Sequence, residues 1–93
     1  MVKHIVMWKL RDKAEGAEIK VRLDALAGNI PGLLSVEVGI DFLESEQSAD
    51  LVLIAELENR QALEVYQNHP EHQAVGTLVK AAAIARTVID YEI

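Results

Sequence analysis

The sequence predicts an α+β domain of order βαββαβ, a four-stranded antiparallel sheet with its helices on one face, which is the split βαβ arrangement of the ferredoxin-like fold. Three observations predict it. Four segments carry strand patterning, two stretches with helical spacing separate the first strand from the second and the third from the fourth, and polar or proline-containing breaks divide the elements. At 93 residues with 51% apolar content, the chain suits one domain spanning residues 1–93 with a real core.

The first segment, Val2 to Leu10, alternates Val2, His4, Val6, Trp8 and Leu10 with Lys3, Ile5, Met7 and Lys9, so both sides are apolar in the middle. From Ala14 to Ile30 the positions Ile19, Leu23, Leu26 and Ile30 recur at helical spacing among Glu15, Glu18, Lys20, Arg22 and Asp24, and Pro31-Gly32 stops the helix. Leu33 to Phe42 sets Leu34, Val36, Val38, Ile40 and Phe42 against Ser35, Glu37, Gly39 and Asp41, a half-buried strand. The polar turn Glu44 to Ser48 leads to Ala49–Leu57, whose nearly continuous apolar run predicts a strand buried on both faces and paired with its predecessor. Asn59 can cap a helix through Ala62, Leu63 and Tyr66, which must fail before His69-Pro70 because proline disfavours helical geometry in its predecessor. Pro70 suits the first turn of a second helix running from Glu71 to about Lys80, with Ala74, Val75, Leu78 and Val79 inward. Ile84 to Ile93 alternates again and closes the order as a last strand.

Helices on one face leave the other face of such a sheet bare, yet Val6, Trp8 and their neighbours make both faces apolar. The expected cover is a second copy of the chain, giving a homodimer whose two sheets close a barrel around a small-molecule pocket. Other partner classes are disfavoured by charge. With 15 acidic against 9 basic residues the net charge is -6, which opposes the counterion release that nucleic-acid binding requires and attraction to anionic membranes. No cysteine is present, so disulfides, thiolate nucleophiles and cysteine-ligated zinc are excluded. The start, Met1-Val2-Lys3-His4, is too weakly basic and breaks too early at Lys9-Leu10-Arg11-Asp12 for a secretory signal, so the chain is expected in the cytoplasm.

Six segments together resemble the stress-responsive A/B barrel family: Val2-Lys3-His4-Ile5-Val6, Ile30-Pro31-Gly32, Val36-Glu37-Val38-Gly39, Ala49-Asp50-Leu51-Val52-Leu53, Tyr66-Gln67-Asn68-His69-Pro70-Glu71-His72 and Ile89-Asp90-Tyr91. The resemblance runs nearly end to end and implies a dimeric α+β barrel. Most members of that family have no assigned reaction, and some plant members are associated with stress tolerance. A plant member closes a linear poly-β-keto thioester by aldol condensation without a cofactor. The resemblance to it implies a catalytic histidine at His72, a catalytic tyrosine at Tyr66 and a pocket histidine at His4.

The residue chemistry agrees with those assignments. An imidazole with an ordinary pKa near ~6.5 accepts a proton at neutral pH, so His72 can act as a base beside a carbonyl. A phenol fixed in a dry pocket can donate to the enolate oxygen, which is the role open to Tyr66. His4 shares its strand face with Val6 and Trp8, so these three are the expected substrate-binding wall. Each also has a structural reading: a helix-start histidine bonded to backbone, a core tyrosine, a satisfied strand histidine and a packing tryptophan. His69 is expected to cap the helix after Pro70. His69 and His72 are spaced for two metal ligands, but sequence supplies no third, so neither metal nor cofactor is expected. Aromatic residues make up only 4% of the chain, little ring surface for an aromatic polyketide. The alternatives are therefore a small-molecule barrel, as a cofactor-independent cyclase, lyase or isomerase, and a non-enzymatic stress or assembly protein with a packed interior.

Overall fold

The computed structural model describes all 93 residues, Met1 to Ile93. Strand β1 (Val2–Leu10) is followed by a 3-10 turn (Lys13–Glu15) and helix α1 (Gly16–Asp24), then by strands β2 (Leu33–Ile40) and β3 (Leu51–Leu57). Helices α2 (Arg60–Asn68) and α3 (Pro70–Ala82) meet at a corner, and β4 (Ala83–Glu92) completes the chain. The strands lie in the order β2-β3-β1-β4 with every neighbouring pair antiparallel, as the ferredoxin-like order requires. No helix is long and apolar enough to cross a membrane.

Residues directly opposite in an antiparallel pair share a face, so the register sorts the sheet into two sides. His4 lies opposite Ala55 and Asp90, Val6 opposite Leu53 and Val88, and Trp8 opposite Leu51 and Arg86. This side packs under the helices, where Ile19 and Leu23 of α1, Ala62 and Tyr66 of α2, and Val75 and Val79 of α3 complete the core with it. The other side remains open. It carries a row of Ile54, Ile5 and Ile89 across three strands, flanked by Met7, Val52 and Tyr91. The expectation that Val6 and Trp8 belong to the uncovered face is therefore corrected: their own protomer's helices cover them, and the alternate set is bare. Strand alternation defines two faces, and with β1 apolar on both it does not say which one the helices take.

Three local boundaries also differ from expectation, each for a visible reason. Helix α1 ends at Asp24 rather than Ile30, because Gly28 takes a φ of +82° and the backbone passes into three-residue turns such as Leu26 N–H to Leu23 O and Asn29 N–H to Leu26 O. Leu26 and Ile30 are nonetheless buried, so their spacing serves packing without helix. A register shift between Leu33 and Ser35 turns Leu33 into the core and leaves Leu34 exposed. Beyond Ile40 the strand is over, and Phe42 is 91% exposed.

The corner that presents α3 follows the sequence closely. Asn59 accepts from the Ala62 N–H at 2.8 Å and starts α2. His69 is extended (φ -69°, ψ 134°), its Nδ1 accepts from the Glu71 N–H at 3.2 Å, and Pro70 occupies the first turn of α3. Gly32 sets how closely α2 can approach: its φ is +81°, and a Cβ there would lie 2.6 Å from that of Ala62.

Candidate functional site

A cavity of about 530 Å³ opens between α3 and the covered face of the sheet. Its floor is Val6 and Trp8 of β1 with Leu53 of β3, and His4 stands at one end. From α3 come His72, Gly76, Val79 and Lys80, spaced four, three and one residues apart, which puts them on one stripe of the helix. Gly76 is what keeps this stripe hollow, since a Cβ there would meet nothing within 4 Å. The start of β4, from Ala83 to Arg86, supplies the far rim.

His72 is half-buried in the cavity wall. Its Nδ1 lies 3.3 Å from the carbonyl oxygen of Gln67, one of the terminal carbonyls of α2 that no helical N–H reaches. A proton on Nδ1 donates to that oxygen and leaves the Nε2 lone pair free. Burial holds the His72 pKa below its ordinary value, the Gln67 carbonyl partly offsets this, and the charges of His4, Arg86 and His69 depress it further. At neutral pH the ring is therefore an uncharged acceptor.

Behind His72 lies Tyr66, fully buried, with ring centroids 4.3 Å apart. The same ring meets His4 edge-on at 5.9 Å. Burial pushes the Tyr66 pKa up to about 12, so the phenol stays protonated, and its hydroxyl makes no hydrogen bond within the protein. His4 is buried as well, and its Nδ1 sits 2.5 Å from Oδ1 of Asp90, its cross-strand neighbour on β4. That bond fixes the ring's orientation and leaves its other nitrogen as the free one.

His72, His4, Trp8 and Val6 thus line one cavity, whereas Tyr66 braces both imidazoles from behind and is not part of the lining. The cavity belongs to a single protomer, between sheet and helices, and not to a space between two sheets. No group of three or more His, Asp or Glu gathers as metal ligands would, and His69 spends its Nδ1 on the cap of α3. Four contributors were missed from sequence: Gly76, Lys80, Arg86 and Asp90. Arg86 and Asp90 already alternate together along β4, but only the β1–β4 register sets them beside Trp8 and His4.

The profile of the Stress Responsive A/B Barrel Domain matches residues 2–93. No curated protein matches the chain. Among solved structures, a dimeric protein of unknown function with a ferredoxin-like fold from Bacteroides fragilis is 32% identical, with a TM-score of 0.89 over 99% of this chain and 95% of that one. A family protein with the same fold from Mesorhizobium loti is 20% identical, with a TM-score of 0.81 over 99% and 95%. The hydroxynitrile lyase from Passiflora edulis is 14% identical, with a TM-score of 0.84 over 99% and 92%, a likeness of fold alone.

Proposed function

The chain belongs to the stress-responsive A/B barrel family, and from that premise we propose that it is a cytoplasmic homodimer in which each protomer binds a small carbonyl compound and removes a proton beside the carbonyl, as a cofactor-independent cyclase, lyase or isomerase does. One observation carries the reading: the His72 ring, held by the Gln67 carbonyl, turns an uncharged face into a largely apolar cavity next to a buried phenol. In this reading Nε2 of His72 takes the α-proton, and the electron pair moves into the carbonyl to form an enolate. Tyr66, buried behind His72 and outside the cavity lining, keeps the His72 ring in place rather than donating to the substrate. His4, oriented by Asp90, bounds the substrate with Val6 and Trp8.

Support for the homodimer comes from the bare row of Ile54, Ile5 and Ile89 and from solved relatives described as dimeric. The net charge of -6 argues against nucleic-acid or anionic-membrane partners.

The test is exchange of α-protons for deuterium in a small ketone panel, followed by proton NMR. Wild type is expected to accelerate exchange for at least one compound, and His72→Gln to lower that acceleration by about 100-fold or more. Exchange that survives the substitution unchanged removes His72 from the base role.

A further inference from the structure

The cavity is chemically lopsided. Its floor is apolar, from Val6, Trp8 and Leu53, while its rim carries two exposed cations, Lys80 near the end of α3 and Arg86 on β4. No Asp or Glu lines it, although acidic residues outnumber basic ones 15 to 9 in the chain. Five other basic side chains, Lys3, Lys13, Lys20, Arg22 and Arg60, lie in ion pairs with carboxylates. Arg86 and Lys80 lie in none, as do Lys9 and Arg11 away from the cavity, so the two rim cations keep their donors free at the mouth of a largely apolar cavity.

We infer that the compound this cavity takes is an oxo monocarboxylate, its carboxylate held by Arg86 and Lys80 and its apolar body lying over Trp8 and Leu53. A guanidinium offers a planar fork of N–H donors that matches the two carboxylate oxygens, and Lys80 adds a second charge from the facing helix. The C-terminal end of α3, which lies at the same rim, carries partial negative charge. That end opposes a phosphate dianion more strongly than a monoanion, which favours carboxylate over phosphate. Arg86 also makes the His72 imidazolium less favourable, so the two groups share one field, and a bound carboxylate would screen it. The assignment rests on the carbonyl-site reading above and names the class of compound that site admits.

Calorimetric titration of 4-oxo-4-phenylbutanoate against its methyl ester isolates the charged end, since the two differ in little else. Wild type is expected to bind the acid about tenfold tighter than the ester. The double variant Arg86→Gln, Lys80→Gln is expected to lose that preference by weakening the acid alone. Both side chains are exposed, and circular dichroism checks that the fold is kept. Arg22→Gln, which removes a charge from the exposed side of α1, is expected to leave the preference intact. Equal affinity for acid and ester in wild type overturns the carboxylate assignment and leaves the carbonyl site standing. A preference that persists in the double variant overturns it too. If neither compound binds at millimolar concentration, the carbonyl site and the carboxylate assignment fall together.

Discussion

Replacing Gly76 by alanine should make the protein more stable, and the size of the gain follows from where the residue sits. Gly76 lies in the interior of α3, six residues from its last residue, Ala82, where glycine costs roughly 0.5–1 kcal/mol relative to alanine through backbone entropy. A Cβ added there meets no atom within 4 Å, so no steric penalty opposes that gain. For a domain of this size each 1 kcal/mol shifts the unfolding midpoint by about 4–8 °C, giving an expected rise of about 2–8 °C. Thermal unfolding followed by circular dichroism measures it, at one fixed protomer concentration because association couples the midpoint to concentration. One methyl leaves most of a 530 Å³ cavity open, so ligand binding should persist in Gly76→Ala. Gly76→Leu projects a full side chain into the same space and should abolish binding while keeping the fold. A lower midpoint for Gly76→Ala would refute the reasoning, because it would mean that the space beside Gly76 is not free.

Gly32→Ala should cost about 1–3 kcal/mol in urea unfolding, since it combines a left-handed φ of +81° with a 2.6 Å approach to Ala62; an unchanged midpoint would show that α2 can retreat at no cost. Ile89→Asp sets a charge into the bare isoleucine row and should convert a dimer into protomers of 10.3 kDa in sedimentation velocity; an unaltered mass would dissociate that row from assembly. His72 gives a pH signature. Its folded pKa is depressed below the ordinary 6.5, so the unfolded chain binds the proton first and stability present above about pH 6.5 is lost as pH falls toward the folded value. His72→Gln should therefore lose less stability between pH 7 and 5 than wild type, with His4, His69 and Arg86 present in both; identical slopes would contradict a depressed His72 pKa.

Much of this architecture was readable because local rules and tertiary packing agree. Asn59, the His69-Pro70 break and the Ile19–Leu23 spacing each name a backbone event that the structure repeats. The corner at His69-Pro70 was readable because proline disfavours helix in its predecessor, and it brings Gln67 and His72 together, whereas the choice of Tyr66 and His72 as a candidate site came from the family resemblance. The partners of that site were not readable. Asp90 reaches His4, and Arg86 reaches Trp8, through strand pairs separated by more than 75 positions, and register at that range is a property of the packed sheet. Gly76 was invisible for the opposite reason: its contribution is an absent side chain, and periodicity counts only what is present. The Leu34 error comes from the single extra residue of a bulge, which reverses the inside and outside of the strand segment before it, whereas Phe42 lies beyond Ile40, where the strand has ended.

The same parity separates association from chemistry. His4, Val6 and Trp8 are even-numbered on β1 and face the cavity, while Ile5 and Met7 are odd-numbered and face away. A ligand in the cavity touches no residue of the bare row, and a partner on the bare row touches none of the cavity floor. The monomeric Ile89→Asp variant should therefore still bind 4-oxo-4-phenylbutanoate with near wild-type affinity, provided the fold survives, which the Trp8 fluorescence can report because this is the only tryptophan and it lines the cavity. Loss of binding in step with loss of the dimer, in a variant whose circular dichroism is unchanged, would show that the partner shapes the cavity through the sheet. Retention would show that β1 serves both tasks with opposite faces, the covered one for the small molecule and the bare one for the second copy.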